Sequence, residues 1–459
     1  MTKFVLVILT LSLFSNTTIY SFDGEDDNEL VVPLVTGAKL LPVYLVHFNN
    51  QSQDHSQRYI KKLESVLRFD LNENGMTKVV ETSADLESLA NRSKFTDTES
   101  AAKWKNYHVN YVISVDVSDK SVHAQVVSMQ GDWAKNTSAI TITGEEGFDR
   151  RQMHQIADKI HQVLFGKEGI AQTKILYTLK KQIPGKKEWS SDVWEADYDG
   201  GNPRQVLTNA GYCVTPQYAP PASGKRPGNF FYVSYKTGQP KIYLASLKGG
   251  PSQRLTLLRG NQLMPTLSHQ RDKVAFISDV TGNPDLFVQR FSPDQGAIGK
   301  PWQIFSAHLS TQGTPTFSPD GKQIAFVSNK DGSPRIYVMD VPKEGTKIKD
   351  VKPTLITKFR RGCTAPAWSP DGRKIAYCAR MNGVRQIYVY DLNTRKELQL
   401  TQGGLNKENP AWAPNSLHII YNTTNDESSN LYLTNLNHPK AKKITAGAGS
   451  KHFPSWEPR

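Results

Sequence analysis

Histidine, cysteine and serine are the side chains from which a catalytic or metal site is most often assembled, and here they lack the spacings such sites need. No Gly-x-Ser-x-Gly turn presents a serine nucleophile, and no His-Glu-x-x-His presents a zinc-binding helix face. His154 and His161 lie seven residues apart on one amphipathic stretch, where His154 reads as solvent-facing and neither has an acidic partner at useful spacing. His269, His308 and His452 fall in segments that read as loops, and a metal held by them inside a channel is the one ligand set the pattern leaves open. No glycine-rich phosphate loop joins a strand to a helix. No catalytic residue, cofactor site or metal site is expected.

The three cysteines are too few for a disulfide framework. Cys213 and Cys363 each precede a proline by three residues and so occupy equivalent places in a repeat, and Cys378 sits across a hairpin from Cys363. Buried free thiols are expected. The formal charge is +13. Its basic residues are scattered or in short pairs such as Lys186-Lys187 and Arg360-Arg361, without interleaved aromatics, which argues against nucleic acid as a partner.

The elements that must carry any site repeat. Six times an apolar residue, a spacer and an aromatic recur, ending at Tyr177, Tyr232, Phe276, Phe326, Tyr377 and Tyr421. In five of the six units a second aromatic follows eleven residues later, at Tyr243, Phe287, Tyr337, Tyr388 and Tyr432. Proline-led strands precede the triplets, at Pro216, Pro265, Pro315, Pro366 and Pro410, with a further one at Pro454. Ser318-Pro319-Asp320-Gly321 and Ser369-Pro370-Asp371-Gly372 are tight turns between antiparallel strands; Ser268–Arg271 and Ala413–Ser416 are degenerate versions. A repeat of 44–55 residues with period-two strands predicts a six-bladed β-propeller over residues 174–459. The first unit lacks a proline-led strand and the C-terminus has a spare one, His452–Trp456. The C-terminal strand is therefore expected to close the first blade and leave no open sheet edge.

Before the propeller, residues 1–21 read as a signal peptide cleaved near Ser21, and residues 22–39 as an acidic N-terminal arm. Residues 40–166 read as a small α/β domain, with helices over 55–69 and 149–165 and a strand pair over 109–117 and 121–129; residues 167–173 read as a linker.

The junction Met153–Ile160 and Leu164–Ile175, the Ser-Pro-Asp-Gly blades, the leader, the small first domain and the closing Phe-Pro-Ser-Trp together resemble the TolB family of the Tol-Pal system. The resemblance spans the whole mature chain and implies a monomeric periplasmic scaffold, not an enzyme, that supports outer-membrane integrity and cell division. It implies that a peptidoglycan-associated lipoprotein of Pal type docks on one propeller mouth, at the loops before each inner-strand proline. The matching positions are Asn261, Gln262, Thr311, Gln312, Arg361, Thr364, Asn406, Lys407, Glu408, Lys451 and His452. It also implies that a TolA-type inner-membrane protein engages the arm through Phe22, Asp23, Glu25, Asp26, Asp27 and Glu29. A propeller lyase or metalloenzyme and a stand-alone glycan-binding propeller are the alternative readings.

Overall fold

The structure, a computed structural model, describes residues 39–459 except 93–97, 132, 209, 223 and 426–427. The signal peptide and nearly all of the acidic arm, including every arm residue named above, lie outside the described residues.

The first part is an α/β layer. β1 (Leu41–Leu45) lies between β2 (Thr77–Val79) and β3 (Tyr111–Val117), parallel to both, and β3 pairs antiparallel with β4 (Ser121–Ser128). α1 (Gln57–Glu73) starts at Ser56, whose hydroxyl caps the Tyr59 amide. It buries Ile60, Leu63, Val66, Leu67 and Leu71 on one stripe. α2 (Ala84–Arg92) and α3 (Thr98–Asn106) were not expected from the sequence. α4 (Glu146–Phe165) lies along α1 and ends at Gly166, whose positive φ closes the helix.

Among the described residues the rest forms six antiparallel sheets of four strands. The eleven-residue aromatic spacing is hairpin register: Tyr232 faces Tyr243, Phe276 faces Phe287, Phe326 faces Tyr337, Tyr377 faces Tyr388 and Tyr421 faces Tyr432. Their ring centroids are 5.6–6.0 Å apart; four pairs stack and Phe326–Tyr337 is tilted, and each pair packs across two middle strands. The first blade is completed by Ser450–Trp456, which pairs with Lys174–Gln182, as strand counting predicts. In the degenerate turns Arg271 and Ser416 hold φ of 59° and 54°, the left-handed conformation that Gly321 and Gly372 adopt in the regular ones. The backbone geometry is kept where the glycine is not.

The α/β layer sits on the mouth where these tight turns lie. His418 Nε2 donates to the Glu73 carbonyl at 2.7 Å, Asn437 donates to the Gly75 carbonyl, and Tyr198 Oη donates to Asp70. One apolar core runs from Val43 and Leu67 through Ile170 and Ile175 to Ile444 and Trp456. Residues 167–173 are pinned into it: Ile170 and Ala171 are buried, and Asp158 accepts the Ala171 and Gln172 amides.

Candidate functional site

Each inner strand starts at the opposite mouth, the one left free by the α/β layer. The residue before every inner-strand proline has a positive φ: Thr215 (47°), Met264 (54°), Thr314 (41°), Ala365 (51°), Asn409 (55°) and Phe453 (53°). None is glycine, so each conformation costs about 1–2 kcal/mol. The register explains the choice. In every blade the inner strand gains one residue at this point, as between Leu263 and Thr266, where its partner advances only from Ile277 to Ala275. This bulge turns the six side chains towards the channel, and the following proline removes a backbone donor that the bulge would leave unpaired. The channel is a cavity of about 290 Å³ lined by these residues, their prolines and Trp368, Trp412 and Trp456.

Three residues before the proline, the sixfold position holds Cys213, Gln262, Gln312, Cys363, Lys407 and Lys451, all buried. Most of these side chains tie down the loop that leads into their strand. Cys213 Sγ faces the Ala210 and Gly211 carbonyls, Gln262 donates to Leu258, Gln312 to the Ser310 hydroxyl, and Lys407 to Gly403. Lys451 is the fullest case. Its ammonium reaches the carbonyls of Gly447, Ala448 and Gly449 at 2.5, 3.4 and 3.0 Å, turned inward by left-handed φ at Gly447 and Gly449. Desolvation lowers the pKa of Lys407 and Lys451. Burial pushes the Cys213, Cys363 and Cys378 thiols up to about 12.

The positions singled out in the sequence are thus all at this mouth but differ in what they present. Gln262, Gln312, Lys407 and Lys451 are buried loop clamps. Asn261 bonds Asp279 through its amide and side chain, Asn406 accepts the Arg385 amide, and Glu408 pairs with Arg385 and accepts from Thr424. Thr364 and His452 are half-buried, and His452 lies within the closing inner strand, as strand counting places it. Thr311 and Arg361 are exposed. His269 lies in a tight turn at the α/β-covered mouth and His308 in a loop at the free one, so the three channel histidines do not converge.

What the sequence reading missed is apolar. Leu257, Leu309, Phe359 and Leu405 stand in the loops before four inner strands, exposed by 85, 83, 67 and 41%. Trp189, Tyr235 and Val280 are exposed in the neighbouring hairpins at the same mouth. Among the described residues these are seven of the eight large exposed apolar or aromatic side chains of the propeller, the other being Ile298. Large apolar residues inside polar, glycine-bearing loops were the available signal.

His154 also departs from expectation. It is 1% exposed, its Nδ1 lies 2.8 Å from Asp70 Oδ2, and Asp199 faces its other nitrogen. The partner on α1 is 84 residues away in sequence, which is why local spacing did not show it. Burial by itself would lower the imidazole pKa. The charges and hydrogen bond of Asp70, with Asp199 behind, outweigh burial and raise it to about 9.

Comparison with known proteins settles the family. Residues 161–459 match the family model described as TolB beta propeller domain. The chain is 52% identical over 385 residues to the "Protein TolB homolog" of Protochlamydia amoebophila (strain UWE25), covering 84% of this chain and 82% of that one. This chain belongs to the TolB family. The TolB homolog of Chlamydia felis (strain Fe/C-56) is 44% identical over 59% of this chain and 61% of its own length. The crystal structure of TolB from Acinetobacter baumannii shares the fold, with a TM-score of 0.73 at 23% identity over 92% of this chain and 97% of that one. The TolB-family propeller here therefore offers a rigid free mouth with an apolar ring, its loops clamped from beneath.

Proposed function

We propose that this TolB-family chain is a periplasmic scaffold of the Tol-Pal system that docks a Pal-type lipoprotein on the free mouth, in support of outer-membrane integrity and constriction at division. The observation that carries the reading is the ring of Leu257, Leu309, Phe359 and Leu405 on the mouth opposite the α/β layer. Exposed apolar side chains gathered on one face mark a site for a protein partner. Clamped loops on a closed ring lose little freedom when a partner binds, so more of the contact energy reaches affinity. The exposed Arg259, Lys358 and Arg361 lie among these side chains, which favours a partner surface that is apolar at its centre and acidic at its edge. The N-terminal arm, with Phe22, Asp23, Glu25, Asp26, Asp27 and Glu29, is the proposed TolA-type segment, acting independently of the mouth.

The test is binding of the soluble domain of the cognate Pal-type protein to the mature chain by calorimetry. Phe359→Ser and Leu309→Ser should each weaken binding at least tenfold, and Arg361→Glu less if it stays at the rim. Deleting residues 22–39 should leave the affinity unchanged. Wild-type affinity in the Leu257→Ser/Leu309→Ser/Phe359→Ser variant would place the partner elsewhere.

A further inference from the structure

Where the α/β layer meets the first blade, His154, Asp197 and Asp199 each direct one nitrogen or oxygen into a common space. The three ligand atoms all lie within 4.8 Å of one another. Two come from the propeller and one from α4. The imidazole is oriented from behind: Nδ1 donates to Asp70 Oδ2 at 2.8 Å, and Asp70 Oδ1 accepts the Tyr198 hydroxyl at 2.7 Å. With Nδ1 carrying the proton, the Nε2 lone pair points into the cluster. Nε2 is fully buried and has no hydrogen-bond partner; Asp199 Oδ2 is 3.7 Å away, too far for a hydrogen bond and near the separation of two ligands on one ion.

We propose that this cluster binds a divalent transition metal, with His154 Nε2 and one oxygen each of Asp197 and Asp199 as ligands and Asp70 as the carboxylate that orients the imidazole. A carboxylate that holds the distal nitrogen of a metal-binding histidine is the usual second layer of such sites. A nitrogen ligand beside two carboxylates suits Zn²⁺ or its first-row neighbours better than Mg²⁺ or Ca²⁺. A cavity of about 170 Å³ adjoins the cluster, lined by His154, Asp197, Gln155 and Gln172 and by the basic Arg151, Lys174 and Arg226. The ion would tie Asp197 and Asp199 of the first blade to α4, and so staple the α/β layer to the propeller. It is independent of what binds the free mouth.

The competing occupant is a proton, which would make His154 an imidazolium between Asp70 and Asp199. The experiment is titration of the EDTA-treated mature chain with ZnCl2 by calorimetry at pH 7.5, in two buffers of different ionisation enthalpy. One Zn²⁺ should bind per chain, with release of about one proton as the ion displaces it from Nε2. X-ray absorption at the zinc edge of the loaded wild type should show one imidazole nitrogen, oxygen ligands and no sulfur, a readout that needs no variant. Asp197→Asn and Asp199→Asn, checked for folding by circular dichroism, should each lower affinity at least tenfold, and Asp70→Asn about 10- to 100-fold. Absence of a stoichiometric Zn²⁺, or undiminished binding by the folded Asp197→Asn/Asp199→Asn variant, would overturn the proposal and leave the cluster as a protonated ion-pair network.

Discussion

Acidification should loosen the seam between the α/β layer and the sixth blade through one residue, His418. Its ring is buried; Nε2 donates to the Glu73 carbonyl at 2.7 Å, and Asn415 Nδ2 lies 3.0 Å from Nδ1, so the imidazole is neutral. Protonation needs a second acceptor at Nδ1. The nearest candidate, the Asn415 oxygen, is 3.4 Å from Nδ1 and already accepts the Leu417 and His418 amides, so it can offer only a long, shared hydrogen bond. Desolvation, aided by nearby His161 and opposed by the Glu73 hydrogen bond, lowers the pKa from 6.5 to about 4. The unfolded chain therefore takes up the proton first as pH falls. Stability from this residue is complete above pH 6.5, declines below it, and is fully lost below about 4. At pH 5 the linkage relation gives a loss of about 2 kcal/mol. The assay is NMR of histidine ring carbons in the folded chain, with hydrogen exchange at the C-terminal turn of α1 as a second readout. His418 should hold its neutral shift down to pH 5, and the protection factors at residues 70–76, exchange corrected for its intrinsic pH dependence, should fall between pH 7 and 5 in wild type but not in His418→Gln. A His418 midpoint near 6.5 would refute the reasoning.

Lys451→Met keeps the apolar stem but orphans three carbonyls; it should cost about 2 kcal/mol and lower Tm by several degrees in a thermal scan. Lys451→Gln, the side chain used at Gln262 and Gln312, should recover most of that loss. The three thiols should resist iodoacetamide in the folded protein at pH 8 and react only in denaturant, because burial holds each near pKa 12. Mass spectrometry of the alkylated protein checks this. Gly169→Ala would place a Cβ 2.2 Å from Asp158 Oδ1 and break the carboxylate's hold on the Ala171 amide, so it should destabilise the junction by about 2–3 kcal/mol in urea unfolding.

The blades could be read because their signal is local: eleven residues from Tyr377 to Tyr388 is the length of one hairpin, and a hairpin fixes its own register. Ring closure could be read by counting strands, since only one proline-led strand lacked a partner. The clamp position was half visible in the equivalence of Cys213 and Cys363. Its role was not, because three chemically unlike side chains serve it and the loop carbonyls appear only once the chain is folded. His154 was misread for a different reason: its environment is made by α1 and by a turn of the first blade, and no periodicity on α4 reports either. The apolar ring was overlooked because Leu309 and Phe359 sit outside any strand pattern, where a large hydrophobic side chain serves no packing need.

The seam of the first blade sets an order of events. Lys174 and Glu457 are 283 residues apart in the chain yet hydrogen-bonded, and Trp456 donates to the Thr173 hydroxyl. Closing a loop of that length from a disordered chain costs about 5 kcal/mol in entropy, against about 2 for a hairpin of eleven residues. The other five blades can form as soon as their own strands have been synthesised. The first must wait, with the edge of Lys174–Gln182 bare, until residues 450–456 have been delivered. Until then the chain carries an open, strand-hungry edge, and that interval is when it is most prone to pair with the wrong strand.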